Sequence, residues 1–334
     1  MSHVAVLGAG AWGTALSRHL SQRGALVRLW SWQAEHAEAL RRDRENRSFF
    51  PGYPLSEAIE PTSDLAYAIS DASAVLVVVP TPAVRETLSR MATFLPSSAV
   101  LVLASKGIET GSLMLLTEVV SDVLGAERGR SAVALSGPSF AEEVARGLPT
   151  NLVAASLDPA AAATTQTLLS GERLRVYRSA DPIGVQVGGG LKNVIAIAAG
   201  ACDGLGFGHN TRAALITRGL AEMARLASAK GGESITLAGL AGLGDLVLTA
   251  SADLSRNRTV GFELSRGRTL HEVLGGLGHV AEGVTTAKSA FHLANQLQVD
   301  LPISSEVYRV LYEDKPVSEA VSELLHRPPG TEWS

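Results

Sequence analysis

Apolar residues cluster in short runs over the first 180 residues, and stretches with apolar residues at helical spacing separate these runs. Short aliphatic runs of this kind are typical of buried parallel strands. The predicted strands are residues 4–7, 26–30, 75–79, 100–103, 133–135, 152–155 and 174–177. The predicted helices are residues 14–23, 35–47, 64–70, 84–94, 112–124 and 159–169, with a loop at residues 51–61. This alternation predicts a doubly wound α/β sheet.

The pattern changes near Asp181-Pro182, because the residues beyond contain no convincing strand. Helices separated by glycine-rich turns are predicted at residues 191–201, 211–229, 259–265, 285–298 and 304–312. A length of 334 residues agrees with about two domains. We therefore expect a sheet domain at residues 1–180 and an all-α C-terminal domain at residues 181–334.

A glycine motif follows the first predicted strand directly. The stretch Gly8-Ala9-Gly10-Ala11-Trp12-Gly13 stands between that strand and a helix, as in the dinucleotide-binding fingerprint of Rossmann-type domains. Gly8 would permit the tight turn, Gly10 the approach of a pyrophosphate, and Gly13 the packing of helix on strand. The helix N-terminus would favour the anion. The alternative is an ordinary glycine turn.

Composition excludes several classes of protein. A net charge of −4 and a pI near 6.1 give no general attraction to nucleic acid or anionic membranes. The lone cysteine, Cys202, rules out an internal disulfide and indicates a reducing compartment. We see no signal peptide and no apolar run near the length of about 20 residues that a membrane helix needs. We expect a cytoplasmic protein without a metal, because the histidines show no ligand spacing.

The second glycine stretch carries the strongest candidate for proton transfer. Gly188, Gly189 and Gly190 precede Lys192 and Asn193, which suggests that something packs very close to this backbone. We expect Lys192 in or near the first turn of a helix, where the dipole disfavours the ammonium form and lowers its pKa. The alternatives are a solvated lysine beside a close helix crossing and, for Asn193, a helix cap.

Further candidates lie at turns. Lys106 and the stretch 137–141 follow predicted strands, at the sheet edge where ligands bind in open α/β folds. Asp245 follows the glycine-rich turn 239–244, and Ser255-Arg256-Asn257 offers an arginine fork suited to phosphate. A loop lysine, a plain turn and a solvated charge pair are the alternatives. Together these residues predict a pocket for a phosphorylated substrate.

Several short motifs follow one another along nearly the whole chain, and their order matches that of a known enzyme family. They are Gly8 to Gly13, Ser105-Lys106-Gly107, Ser136 to Ala141, Gly188 to Asn193, Asp203 to Gly208, Leu215 to Gly219, Gly242 to Leu246 and Ser255 to Arg258. In this order the sequence closely resembles the bacterial NAD(P)-dependent glycerol-3-phosphate dehydrogenases. The later motifs are far more specific than the fingerprint.

The resemblance implies a role for each matching residue. It implies catalytic roles for Lys192 as general acid and base, and for Lys106, Asp245 and Thr249. It implies substrate contacts at Lys106, Gly137, Ser139, Lys192, Asn193, Asp245, Ser255, Arg256 and Asn257. It implies cofactor contacts at Gly8, Gly10, Ala11, Trp12, Gly13, Trp32, Phe49, Lys106, Ala141, Arg256, Val280 and Glu282. Many relatives carry serine at Ala11 and threonine at Ser139, and neither departure puts the activity in doubt.

The activity implied is hydride transfer between NAD(P)H and dihydroxyacetone phosphate, giving sn-glycerol 3-phosphate for phospholipid synthesis. We expect a homodimer that uses NAD or NADP, acts on a small phosphorylated substrate, and neither binds nucleic acid nor inserts into a membrane. Three other readings stay open: a 3-hydroxyacyl-CoA or 6-phosphogluconate dehydrogenase, a redox sensor, and a scaffold.

The choice between the two cofactors depends on the end of the second strand. An NAD-specific enzyme usually carries an acid there, but Ser31-Trp32-Gln33 supplies none. Trp32 can stack on adenine with or without the 2′-phosphate, and Glu35 would weaken the argument if it turns towards the ribose. We expect NADPH to serve at least as well as NADH.

Overall fold

The computed structural model describes residues 2–277, 281–328 and 331–332. The chain forms two compact units: residues 1–109 with 114–186, and residues 110–113 with 187–334. The expected boundary at residues 180 and 181 stays a proposal. The sequence did not predict that residues 110–113 belong to the second unit.

The first unit is built on strands. They are β1 (His3–Leu7), β2 (Val27–Trp30), β3 (Glu45–Asn46), β4 (Phe50–Pro54), β5 (Ile59–Thr62), β6 (Ala72–Val77), β7 (Val100–Leu103), β8 (Val133–Ser136), β9 (Thr150–Ala155) and β10 (Leu174–Ser179). Eight of them form one sheet in the order β10-β9-β8-β7-β6-β1-β2-β5, and β3 pairs with β4 in a separate ribbon. All neighbours in the large sheet are parallel except β8 and β9. The strand order changes direction beside β1, which places a topological switch point between β1 and β6.

Helices cover both faces of this sheet. They are α1 (Ala11–Gln22), α2 (Ala34–Asp43), α3 (Leu65–Ile69), α4 (Val84–Met91), α5 (Leu116–Leu124), α6 (Ala126–Ser131), α7 (Ala141–Ala145) and α8 (Pro159–Leu169), with a 3₁₀ turn at Thr81–Ala83. Alternate residues of β1 belong to two separate apolar clusters: Val4 and Val6 to one, Ala5 and Leu7 to the other. Burial on both faces explains why the central strands read as continuous apolar runs.

Some predicted elements of this unit are wrong. The loop predicted at 51–61 contains β4 and β5, and β5 lies at the edge of the sheet, where a strand tolerates Pro61. The helix predicted at 35–47 ends at Asp43 because Arg44 is left-handed with φ of 50°. The helix predicted at 112–124 begins only at Leu116, after Leu113 with φ of 60°. A left-handed residue cannot continue a right-handed helix.

The described part of the second unit contains helices and no strand, as predicted. They are α9 (Pro182–Gly204, which begins in the first unit), α10 (His209–Ala229), α11 (Ser234–Leu237), α12 (Asp245–Ser251), α13 (Arg256–Ser265), α14 (Leu270–Leu277), α15 (Glu282–Leu297), α16 (Pro302–Tyr312) and α17 (Val317–Leu325), with a π-helical turn at Leu240–Gly244. The α/β fold with a helical C-terminal region is therefore confirmed.

Helix α9 corrects the expectation about membrane-length segments. It is the single described helix long and apolar enough, by length and composition, to cross a membrane. However, 94% of its most apolar window is buried inside the protein. A buried core helix passes the same test of length and composition, so this is weak support for a membrane span.

Candidate active site

The loop after β1 is a glycine turn that leaves room for a ligand. Gly8 has φ of +122°, and a Cβ there would lie 2.7 Å from the carbonyl oxygen of Val78. A Cβ at Gly13 would lie 1.8 Å from the carbonyl oxygen of Gly8, whereas a Cβ at Gly10 would meet no described atom within 4 Å. Helix α1 then begins at Ala11, and no described side chain caps its N-terminus. An uncapped helix start beside open space suits a pyrophosphate.

Asn46, which was not predicted to be a site residue, holds this glycine loop in place. Its buried side-chain amide donates to the carbonyl oxygen of Ala9 at 2.8 Å and to Oγ1 of Thr14 at 2.7 Å. Its Oδ1 accepts from the backbone N–H of Phe49 at 3.2 Å and lies 3.1 Å from Nε2 of His36. Because Oδ1 is fixed as an acceptor, Nε2 of His36 must donate. Asparagine is unfavourable inside a helix, and its place in the predicted helix 35–47 was the available signal.

The other implied cofactor residues of the first unit differ in exposure. Trp32 is 73% exposed, Phe49 is exposed with its ring edge-on to His36 at 5.0 Å, and Trp12 is half-buried. Ala141 is the first residue of α7. An exposed indole is available to a ring of a ligand, because its apolar face is not used by the protein core.

Lys106, Gly137 and Ser139 lie together at the carboxyl ends of β7 and β8. The ammonium of Lys106 donates to the carbonyl oxygen of Gly137 at 3.1 Å, and the Ser139 hydroxyl donates to the same oxygen at 3.0 Å. Gly137 has φ of +127°, and a Cβ there would lie 2.9 Å from the carbonyl oxygen of Asn151. The expected grouping at this edge is therefore present within the first unit.

Lys192 does not lie at a helix start, so the dipole argument made from the sequence is wrong. Helix α9 begins ten residues earlier, at Pro182. Instead, Lys192 forms a buried ion pair: its Nζ lies 2.6 Å from Oδ1 of Asp245 and donates to Oγ1 of Thr249 at 2.9 Å. The Thr249 hydroxyl donates to the backbone oxygen of Asp245 at 2.7 Å, which leaves its lone pairs to accept from the lysine.

Gly188 brings these partners together. A Cβ on Gly188 would lie 2.5 Å from the carbonyl oxygen of Ala241, in the turn that leads into α12. Because α12 carries Asp245 and Thr249, this contact sets both side chains beside α9. The predicted close approach of another backbone to the glycine stretch is confirmed.

Asn193 and the start of α13 form a second buried group. The amide of Asn257 donates to Oδ1 of Asn193 at 2.9 Å, and Oδ1 of Asn257 accepts from the backbone N–H of Gly283 at 3.0 Å. Ser255 caps α13 by accepting from the backbone N–H of Arg258. Arg256 is the exposed first residue of this helix.

The last implied contacts lie around the start of α15. Glu282 is its first residue, whereas Val280 lies outside the described residues. Across residues 2–277, 281–328 and 331–332, no group of three His, Cys, Asp or Glu side chains could hold a metal ion. The second unit thus offers a buried lysine with a carboxylate partner, and a helix N-terminus with an exposed arginine. This set suits proton transfer and the binding of an anion.

Known glycerol-3-phosphate dehydrogenases match nearly the whole length of the chain. The model of the NAD-dependent glycerol-3-phosphate dehydrogenase N-terminus matches residues 3–162, and that of the C-terminus matches residues 181–322. A glycerol-3-phosphate dehydrogenase (NAD(P)+) of Geobacter sp. (strain M21) is 51% identical over 324 residues, covering 97% of each chain. Another, of Koribacter versatilis (strain Ellin345), is 48% identical over 334 residues, covering 99% of each.

A solved structure is similar as well. The crystal structure of glycerol-3-phosphate dehydrogenase from Coxiella burnetii superposes with a TM-score of 0.93 at 41% identity, covering 98% of this chain and 99% of that one.

Proposed function

Because the chain belongs to the NAD-dependent glycerol-3-phosphate dehydrogenase family, we propose that it interconverts dihydroxyacetone phosphate and sn-glycerol 3-phosphate. The observation that carries this function is the family match over both regions of the chain. The match excludes the other dehydrogenase families considered from the sequence. A redox sensor or a scaffold would leave the buried ion pair of Lys192 and Asp245 without a purpose.

Lys192 is the proposed proton donor in the direction of reduction. When bound, the nicotinamide supplies or accepts the hydride. Reduction of a carbonyl builds negative charge on its oxygen, which a positioned acid neutralises. We assign this role to Nζ of Lys192, because its contacts with Asp245 and Thr249 fix its orientation.

The substrate phosphate is assigned to the start of α13. Arg256 supplies a planar fork of donors, and the helix N-terminus favours negative charge. Ser255 and Asn257 hold the first turn through their hydrogen bonds to Arg258, Asn193 and Gly283. A charge contact remote from the reacting carbon fixes the orientation of the substrate. Lys106, Gly137 and Ser139 are proposed substrate contacts on the first unit.

The cofactor is assigned to the glycine loop of the first unit. Gly8, Gly10, Ala11, Trp12 and Gly13 would surround the pyrophosphate, since the space at Gly10 and the start of α1 fit an anion. The other proposed contacts are Trp32, Phe49, Lys106, Ala141, Arg256, Val280 and Glu282.

Both NADH and NADPH are proposed to serve, with NADPH at least as good. Ser31 and the exposed Trp32 follow β2 where an NAD-specific enzyme carries an acid. The check is kcat/KM for each cofactor at saturating dihydroxyacetone phosphate. A preference of a hundredfold or more for NADH, about 2.7 kcal/mol, would contradict this proposal.

The activity is tested by following the near-ultraviolet absorbance of the reduced nicotinamide. Purified protein should oxidise NADPH or NADH when dihydroxyacetone phosphate is added, and chromatography should show glycerol 3-phosphate as the product. Dihydroxyacetone without its phosphate should react poorly. No oxidation with either cofactor would overturn the proposed function.

Cellular context is also proposed. We place the protein in the cytoplasm, as a homodimer that supplies glycerol 3-phosphate for phospholipid synthesis, with domains at residues 1–180 and 181–334. The buried thiol of Cys202 supports a reducing compartment. Light scattering on the purified protein would measure the mass, and a single-chain mass would contradict the dimer.

A further inference from the structure

Asp203 stands in a motif, residues 203–208, that the proposed chemistry does not use. It lies near the end of α9, and its carboxylate is largely buried between two arginines. Arg212, near the start of α10, donates through Nε to Oδ1 at 3.1 Å. Arg258, in the first turn of α13, donates through Nε to Oδ2 at 2.8 Å. One carboxylate therefore joins three helices.

Helices α9 and α13 also touch through their backbones. A Cβ on Gly200 would lie 1.8 Å from the carbonyl oxygen of Arg258, and a Cβ on Gly261 would lie 1.8 Å from that of Ile197. A Cβ on Gly204 would lie 2.8 Å from the carbonyl oxygen of Phe262. These contacts leave no room for a side chain between the helices, so their relative position is closely set.

The first turn of α13 is fastened to α9 through the two residues that follow Arg256. The amide of Asn257 donates to Asn193, the neighbour of Lys192. Nε of Arg258 donates to the carboxylate of Asp203. Arg256 itself has no ion-pair partner within the described residues, so its placement depends on the turn that carries it.

We propose that Asp203 is a positioning residue for the substrate phosphate. By holding Arg258 against α9, it fixes the first turn of α13 and with it the arginine that receives the phosphate. This inference rests on the proposed function, because it takes the start of α13 as the phosphate site.

Two effects of removing the Asp203 charge have opposite signs. Loss of a nearby negative charge alone makes the local potential more positive, which strengthens binding of an anion and lowers KM. Loss of the ion pair between Asp203 and Arg258 lets the first turn of α13 move. This movement weakens the contact of Arg256 with the phosphate and raises KM. The sign of the change in KM therefore separates positioning from simple electrostatics.

The test is Asp203→Asn in the full-length protein. We expect the KM for dihydroxyacetone phosphate to rise about tenfold or more, because a charge-assisted contact is lost from both ground and transition states. The kcat/KM for dihydroxyacetone, which has no phosphate, should stay within about twofold. The Kd for NADPH, measured by fluorescence, should change less than the KM for dihydroxyacetone phosphate, because Arg256 is one of many proposed cofactor contacts.

Asp253→Asn is the matched control. Asp253 also accepts from Arg258, at 2.8 Å, but it is 96% exposed and the solvent screens its charge. This variant should keep the wild-type KM for both substrates. An equal rise of KM in both variants would overturn the proposal.

The remaining outcomes are decisive as well. An unchanged or lower KM in Asp203→Asn, or equal losses with the two substrates, would contradict positioning. Should Asp203→Asn fail to fold, Arg258→Lys keeps the charge, removes the fork and should show the same selective rise; a wild-type KM there would overturn the proposal. Wild-type protein that fails to reduce dihydroxyacetone phosphate would instead refute the proposed function.

Discussion

Arg256 is an exposed cation in an unusual position. It is the first residue of α13, where the helix dipole disfavours positive charge, and it makes no ion pair within the described residues. A bound anion would remove this cost, because it would interact with both the guanidinium and the helix N-terminus. An arginine at this position is therefore explained physically if the site binds an anion.

Replacing Arg256 tests this assignment. Arg256→Ala should raise the KM for dihydroxyacetone phosphate by about tenfold to a hundredfold, and it should change kcat/KM for dihydroxyacetone little. Arg266→Ala is the control, because Arg266 caps the other end of the same helix. Equal losses for the two substrates in Arg256→Ala would remove Arg256 from the phosphate site.

Which residues could be identified from the sequence depends on how local their constraints are. Gly8 and Gly13 were identifiable because a turn and a close approach, both within a few residues, require glycine. The partners of Lys192 were not, since Asp245 and Thr249 are 53 and 57 residues away along the chain. Resemblance to a family named them as site residues, but only the fold shows the ion pair.

Among the elements, α9 and α13 pack backbone against backbone at Gly200 and Gly261. Gly261→Ala would place a Cβ 1.8 Å from the carbonyl oxygen of Ile197, so the helices must separate. We expect a loss of about 1–3 kcal/mol in the free energy of unfolding, measured by chemical denaturation.

A helical glycine without such a contact provides the control. A Cβ at Gly275 in α14 would meet no described atom within 4 Å, so Gly275→Ala should raise the free energy of unfolding by about 0.4–1 kcal/mol. Equal effects of the two substitutions would show that the crossing of α9 and α13 is looser than described.

Strands and helices were predictable from the sequence where burial gives their residues a recognisable apolar pattern. The central strands are buried on both faces and read as apolar runs, whereas the edge strand β5 contains the charged Glu60 and Pro61, which is confined to edge strands. The start of α9 was missed because Gly188 to Gly190 look like a turn. Gly188 instead lies inside α9 and permits the close contact with Ala241.

At the scale of the whole molecule, Glu222 couples stability to pH. It is buried on α10 and accepts from the backbone N–H groups of Ile303 and Ser304 and from the Ser304 hydroxyl, which joins α10 to the start of α16. Burial raises the pKa of Glu222 to about 7, and these hydrogen bonds oppose the rise.

The direction of the pH effect follows from the raised pKa. A folded state that holds the proton more tightly than the unfolded state is stabilised at low pH, and this contribution is lost as pH rises through about 7. Glu222→Gln removes the titration, so its melting temperature should fall less than that of the wild type between about pH 5 and about pH 8. If the melting temperatures of the wild type and of Glu222→Gln fell equally over this pH range, the raised pKa of Glu222 would be contradicted.

The sequence changes from strand runs to helical spacing near Asp181, and the last strand, β10, ends there before α9 begins. That change reflects two kinds of core, a sheet covered on both faces and a bundle of helices. The segment 110–113 carries no such signal, and its place in the second unit depends on tertiary contacts, including that of Thr110 with Ser289.

The most direct measurement is kcat for dihydroxyacetone phosphate reduction by Lys192→Ala, with the Kd for NADPH measured on the same sample. Because general acid catalysis is worth about 10²–10⁴-fold, we predict a loss of kcat in that range while the variant folds and binds cofactor normally. A variant with intact cofactor binding that keeps more than about a tenth of wild-type kcat would show that Lys192 is not the proton donor.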